Sequence, residues 1–164
     1  MAKSARQQVF EGMELLPGAL APFVEKRLEN ALKGHWQQQV QQKVPSIKVG
    51  SDGAFAWDQA ALFNAMDRFW AEAFKDALGR AERAMVNELV DVRNKLSHNE
   101  AFSYDDAERA LDSMRRLLEA ISAGEVATQL AKMRDTILRT KFTELQRNEE
   151  RRKTQRIYIS VYTE

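Results

Sequence analysis

Helix breakers are scarce in this chain, and that scarcity constrains its fold more than any other feature. Seven Gly and three Pro are spread over 164 residues, too few turn formers for a β fold built from many short strands. Apolar residues instead recur at spacings of three and four, the period of a helix with one buried face. Ala5 to Leu16 reads as a first helix, ended by Pro17-Gly18. A second is expected from Ala19 to Lys33, with Leu20, Phe23, Val24, Leu28, Ala31 and Leu32 as its buried stripe, Pro22 in its first turn and Gly34 just past its end. The polar run Gln37 to Gln42 is ambiguous, and Pro45 to Gly53 is the main loop.

Capping signals mark the later helices. Asp58 can cap a third, with Trp57 and Leu62 as a hydrophobic staple. Leu62, Met66, Phe69, Trp70, Phe74 and Leu78 carry its apolar face, and Gly79 ends it. The fourth runs from Arg80 to Ser97, with Met85, Leu89, Val92 and Leu96 inward. Ser103 opens a fifth, reaching Ile121. Ser122 with Glu125 opens a sixth, which nothing breaks before Lys153. The terminal RIYISVYTE alternates β-branched and aromatic residues and reads as a short strand. The expectation is an all-α bundle of five to six helices over residues 1–153, with a tail at 154–164 that forms a strand.

Composition narrows the chemistry. There is no Cys, so disulfides, thiolate metal sites and a Cys nucleophile are excluded. The two His, at positions 35 and 98, lie too far apart in sequence to suggest a His-based metal cluster. Twenty-five Lys and Arg face 24 Asp and Glu, so the chain is not a globally basic nucleic-acid binder. A local patch exists, since Ala131 to Arg156 holds nine Lys/Arg and four Asp/Glu. No apolar run reaches the ~18–20 residues of a membrane span. The N-terminus lacks the apolar core of a signal peptide, so the default compartment is the cytoplasm.

One string can carry chemistry, RNKLSH at the end of the fourth helix. At 100° per residue, Asn94 and His98 share a stripe, with Arg93 and Ser97 beside it and the apolar residues on the other side. A guanidinium suits phosphate oxygens and an imidazole transfers protons near neutral pH. The set fits RNA cleavage by attack of the 2′-hydroxyl on its own phosphate, without a metal or cofactor. That reaction benefits from both an acid and a base, and a two-fold dimer would supply a second Arg93 and His98. Asp91 and Glu100 flank the string and could pair with Arg93.

The segment VRNKLSHNEAFSYDDAERALDSMRRLLEAI resembles the motif region of HEPN domains, whose signature is Arg, a polar residue, then His after four to six intervening residues. It is most similar to the Swt-type HEPN domains at the head of bacterial phage-resistance ATPases, as are WDQAALFNAMDRFWAEAF and LGRAERAMVNELVDVRN. The resemblance spans Met1 to Lys153 and is strongest from Trp57 to Ile121. It implies an all-α bundle, homodimerisation through the motif helices and metal-independent endoribonuclease activity in anti-phage defence. Arg93 would be the phosphate clamp, Asn94 its polar companion and His98 the acid/base. RNA is the implied partner, with a defence ATPase or an antitoxin as further ones. The alternatives are a non-catalytic dimerisation or recruiting module, and the toxin half of a toxin–antitoxin pair.

Overall fold

The computed structural model describes residues 3–163. Six α-helices make up about three quarters of the described chain: α1 (Ala5–Leu32), α2 (Trp36–Lys43), α3 (Gln59–Arg68), α4 (Arg80–Ser97), α5 (Tyr104–Ala120) and α6 (Gly124–Tyr162). Two short strands, β1 (Lys48–Val49) and β2 (Phe55–Ala56), pair antiparallel between α2 and α3. The core lies where α1 crosses α3 and α5, and α6 closes it by packing along α5. Leu16, Leu20, Phe63, Met66, Phe74, Leu111, Met114 and Leu117 are among its fully buried side chains. Among the described residues no helix is long and apolar enough to cross a membrane.

The expected break at Pro17-Gly18 does not occur, and α1 is one helix of 28 residues containing Pro17 and Pro22. A proline inside a helix removes one N–H and leaves the carbonyl four residues earlier without its donor. For Pro17 that carbonyl belongs to Met13, and the side-chain amide of Gln59 supplies the missing donor at 2.9 Å. For Pro22 it belongs to Gly18, which is exposed, so water can serve. The left-handed residue ending α1 is Lys33, at φ 64°, and not Gly34. The ambiguous glutamine run is helical, anchored by buried Val40, and the Pro45–Gly53 loop contains β1 and the hairpin turn with Gly53 at φ 82°.

Asp58 caps α3 as expected, accepting from the Ala61 N–H at 2.8 Å. Beyond Phe69 the chain widens into one π-helical turn, Trp70–Phe74, in which the Lys75 N–H donates to the Trp70 carbonyl at 2.8 Å. Such a turn rotates the following residues relative to a regular helix. Phe69, Trp70, Phe74 and Leu78 all remain buried. Arg27 of α1 donates to the Ala73 carbonyl at 2.7 Å and ties this turn to the bundle.

Ser103 caps α5 by accepting from the Asp106 N–H at 3.0 Å. Ser122 does not cap α6. It takes φ 64° and ends α5, with its N–H on Glu119 and the Ala123 N–H on Leu118. This paired closure satisfies the last carbonyls of α5 and turns the chain back within three residues, so α6 packs antiparallel to α5. Asp112 of α5 sits in a cluster of guanidinium groups, accepting from Arg115 and pairing with Arg116 at 3.0 Å and Arg134 of α6 at 3.7 Å. Burial alone would push its carboxyl up, but the Arg115 hydrogen bonds and the charges of Arg115, Arg116 and Arg134 outweigh that and hold it below the usual value.

The expected terminal strand is also corrected. RIYISVY continues α6, which runs unbroken through positions 153 and 154. Extending an existing helix gains one hydrogen bond per residue fixed, whereas a lone strand has no partner for its backbone groups. Tyr158 and Tyr162, one helical turn apart, add a ring contact with centroids at 4.5 Å.

Candidate functional site

α4 is capped by the preceding Gly79, whose N–H donates to the Glu82 carboxylate at 3.0 Å. Val86, Leu89 and Leu96 bury its inner face, with Met85 and Val92 half-buried beside them. Its far end is fixed by a second paired closure. The Asn99 N–H donates to the Leu96 carbonyl at 3.1 Å and the Glu100 N–H to the Lys95 carbonyl at 3.0 Å. Asn99 supports this by adopting φ 55°, a conformation that Asn tolerates better than most residues. His98 is the last residue of the helix end, with its own N–H on the Asn94 carbonyl at 3.0 Å. Its backbone is therefore held, while its imidazole is exposed.

Arg6 enters this helix end from α1. Its Nη2 donates to the Leu96 carbonyl at 3.0 Å, and its Nε is buried without a hydrogen-bond partner. A cation at the C-terminal end of a helix meets the negative end of the helix dipole. Sequence reading missed Arg6 because it lies 90 residues from its acceptor and belongs to no motif. The only sequence signal is a lone Arg on the first turn of a helix, which carries no information by itself.

Arg93 is half-buried and borders two grooves. The larger, about 460 Å³, lies between α3 and α4 and includes Asn64, Asp67, Asn87, Val90, Asp91 and Asn94. The smaller, about 210 Å³, lies between α1 and α4 and includes Phe10, Glu14, Gln59 and Ser97. Arg93 thus shares one groove with Asn94 and the other with Ser97. Among the described residues no carboxylate lies within ion-pairing distance of Arg93, Asp91 and Glu100 included. Lys95, the other cation of the string, is engaged elsewhere, 3.6 Å from Asp106 and 4.7 Å from the Phe102 ring centre. His98 lines neither groove. Five residues at 1.5 Å rise place it about 7.5 Å further along the axis than Arg93. His35 sits exposed in the short turn Lys33–His35, on a different element.

A single chain therefore presents a guanidinium with no ion-pair partner among the described residues, with Asn94 in one groove and Ser97 in the other, grooves that also carry Asp67, Asp91 and Glu14, and an exposed imidazole beyond them. That arrangement can hold an anionic group at Arg93 and exchange a proton at His98. A second imidazole would have to come from another molecule.

The model of the Swt1-like HEPN family matches residues 11–122. The matched stretch holds α1 from residue 11 onward, all of α2 to α5 and the whole RNKLSH string, and stops before α6. No curated protein and no solved structure matches the chain. With about two thirds of its length covered by that family model, the chain belongs to the Swt1-like HEPN family.

Proposed function

We propose that this HEPN domain is an endoribonuclease acting as a homodimer, with Arg93, Asn94 and His98 as its catalytic residues and anti-phage defence as its setting. The observation that carries the reading is the state of Arg93, half-buried on a groove wall beside Asn94 with no ion-pair partner among the described residues. A cation without a carboxylate is free to take phosphate oxygens.

In the proposed reaction His98 removes the proton from a ribose 2′-hydroxyl. The 2′-oxygen attacks the adjacent phosphorus, and the bond from phosphorus to the 5′-oxygen breaks. Arg93 stabilises the charge on the non-bridging oxygens as the pentavalent state forms. Asn94 orients the phosphate through its side-chain amide. His98 of the partner subunit gives a proton to the departing 5′-oxygen. The products are a 2′,3′-cyclic phosphate end and a 5′-hydroxyl end.

The experiment is incubation of purified protein with tRNA and mRNA in EDTA, beside Arg93→Ala and His98→Ala. Cleavage by the parent and loss of at least about a hundredfold in each variant is expected. Cleavage retained by both variants, or cleavage only with added divalent metal, overturns this chemistry.

One observation favours a second reading. His98 lies outside both grooves that Arg93 borders. A non-catalytic module that recruits a partner, such as a defence ATPase or an antitoxin, through the Arg93 face needs no convergence of the two. Copurification of a partner that Arg93→Ala abolishes, with no RNA cleavage, would select it.

A further inference from the structure

α6 is 39 residues long, but only its first half has neighbours. Its last cross-links to α5 are Lys141 with Asp105 and Glu144 accepting from the Tyr104 hydroxyl at 2.7 Å. From Phe142 to Thr163 every residue is exposed. Phe142, Leu145 and Ile159 are 63%, 56% and 50% exposed, and Ile157, Tyr158, Val161 and Tyr162 are exposed on the other faces. A helix that runs free for about six turns gains nothing from packing and is marginal alone in water.

The residues on one face of this segment follow a strict rule. Phe142, Leu145, Glu149, Arg152, Arg156 and Ile159 are spaced three, four, three, four and three. That is the a/d spacing of a coiled coil, and it places all six within one narrow stripe. The stripe is also self-complementary when reversed. Laid antiparallel about the 150–151 peptide bond, Phe142 faces Ile159 of the second copy, Leu145 faces Arg156, and Glu149 faces Arg152. Each pair occurs twice by symmetry. The apolar pair lies at both ends, the aliphatic stem of Arg156 covers Leu145, and opposite charges meet at the centre. The flanking positions bring Gln146 opposite Lys153 and Asn148 opposite Gln155, with no like charges opposed. A parallel pairing would set Glu149 on Glu149 and Arg152 on Arg152.

We propose that the distal half of α6 is a self-association surface, pairing antiparallel with α6 of a second copy of this chain. The contact is independent of the motif face, because α4 and α6 do not touch among the described residues. The charge reversals at Glu149 and Arg152 therefore leave the motif face untouched, and RNA cleavage by those variants reads the nuclease site apart from this contact.

The test is sedimentation equilibrium of the full chain at low salt, beside Glu149→Arg, Arg152→Glu, the double variant and an equimolar mixture of the two single variants. Each single change opposes like charges twice, so self-association should weaken by about tenfold or more. The double variant restores opposite charges, and so does the mixture, as a heterodimer. Because the parent has no Cys, Phe142→Cys and Ile159→Cys report direction. Under oxidation they should join each other when mixed, and neither should join itself. A chain that stays monomeric overturns the proposal. So does self-association that ignores the single reversals, which would place the second copy on another face. Weakening that neither the double variant nor the mixture rescues overturns it too, as does a disulfide formed by either Cys variant alone.

Discussion

Arg6 and Leu96 join the first turn of α1 to the last turn of α4 through one hydrogen bond, Nη2 to carbonyl oxygen at 3.0 Å. This bond holds the helix end from which His98 projects. Arg6→Met keeps most of the packing volume and removes the donors. It should cost about 1–2 kcal/mol in denaturant unfolding. Amide exchange at His98, Asn99 and Glu100 should accelerate more than exchange at the start of α4. Uniform acceleration along α4 would show that Arg6 acts through global stability alone.

Gln59 stands in for the N–H that Pro17 lacks, donating to Met13. Gln59→Leu leaves that carbonyl without a partner and should destabilise by about 1–3 kcal/mol. Pro17→Ala restores the helical donor. In that background the same Gln59 change should cost much less, and a double-mutant cycle reads the difference. An equal cost in both backgrounds would refute the substitution of one donor for the other.

Gly12 allows α1 to approach α5 and α6 closely. A Cβ there would lie 2.7 Å from Leu111 Cδ2, 3.2 Å from Leu130 Cδ2 and 3.2 Å from Met114 Sδ. Leu111, Leu130 and Met114 are fully buried and cannot all withdraw. Gly12→Leu should therefore lower stability by about 1–3 kcal/mol despite leucine's better helix propensity. Gly18→Leu has open space around it and serves as the control. A smaller loss at Gly12 than at Gly18 would contradict the close crossing.

Asp112 makes folding sensitive to acid. Its folded carboxyl is held below its unfolded value, so the unfolded chain binds the proton first as pH falls. Its contribution is complete above the unfolded pKa of about 4 and disappears as pH drops through the lowered folded value. Asp112→Asn should cost about 1 kcal/mol at pH 7 and flatten the decline in stability below about pH 4. Chemical unfolding across pH 2–7 would show it, and an unchanged acid slope would count against the assigned cause.

Some of the candidate site was legible before any coordinates. The string RNKLSH lies on one amphipathic helix, and helical periodicity fixes which residues point away from Leu89 and Leu96. The engagement of Lys95 by Asp106 and the Phe102 ring, the freedom of Arg93 and the arrival of Arg6 were not legible. Each depends on a residue of another helix, and spacing along one helix says nothing about what packs across it.

The same division runs through the fold. Local chemistry in the sequence determined the caps at Asp58 and Ser103, the inward stripes and the all-α class, because capping and periodicity act over three or four residues. Tertiary structure alone decided that α1 continues through Pro17, since the replacement donor sits 46 residues from its acceptor. It also decided that Ser122 closes α5, where the chain must turn back for α6 to pack along α5. Among the described residues the β-prone tail touches nothing outside α6, and it is helical because elongating a formed helix gains a hydrogen bond per residue while a lone strand gains none.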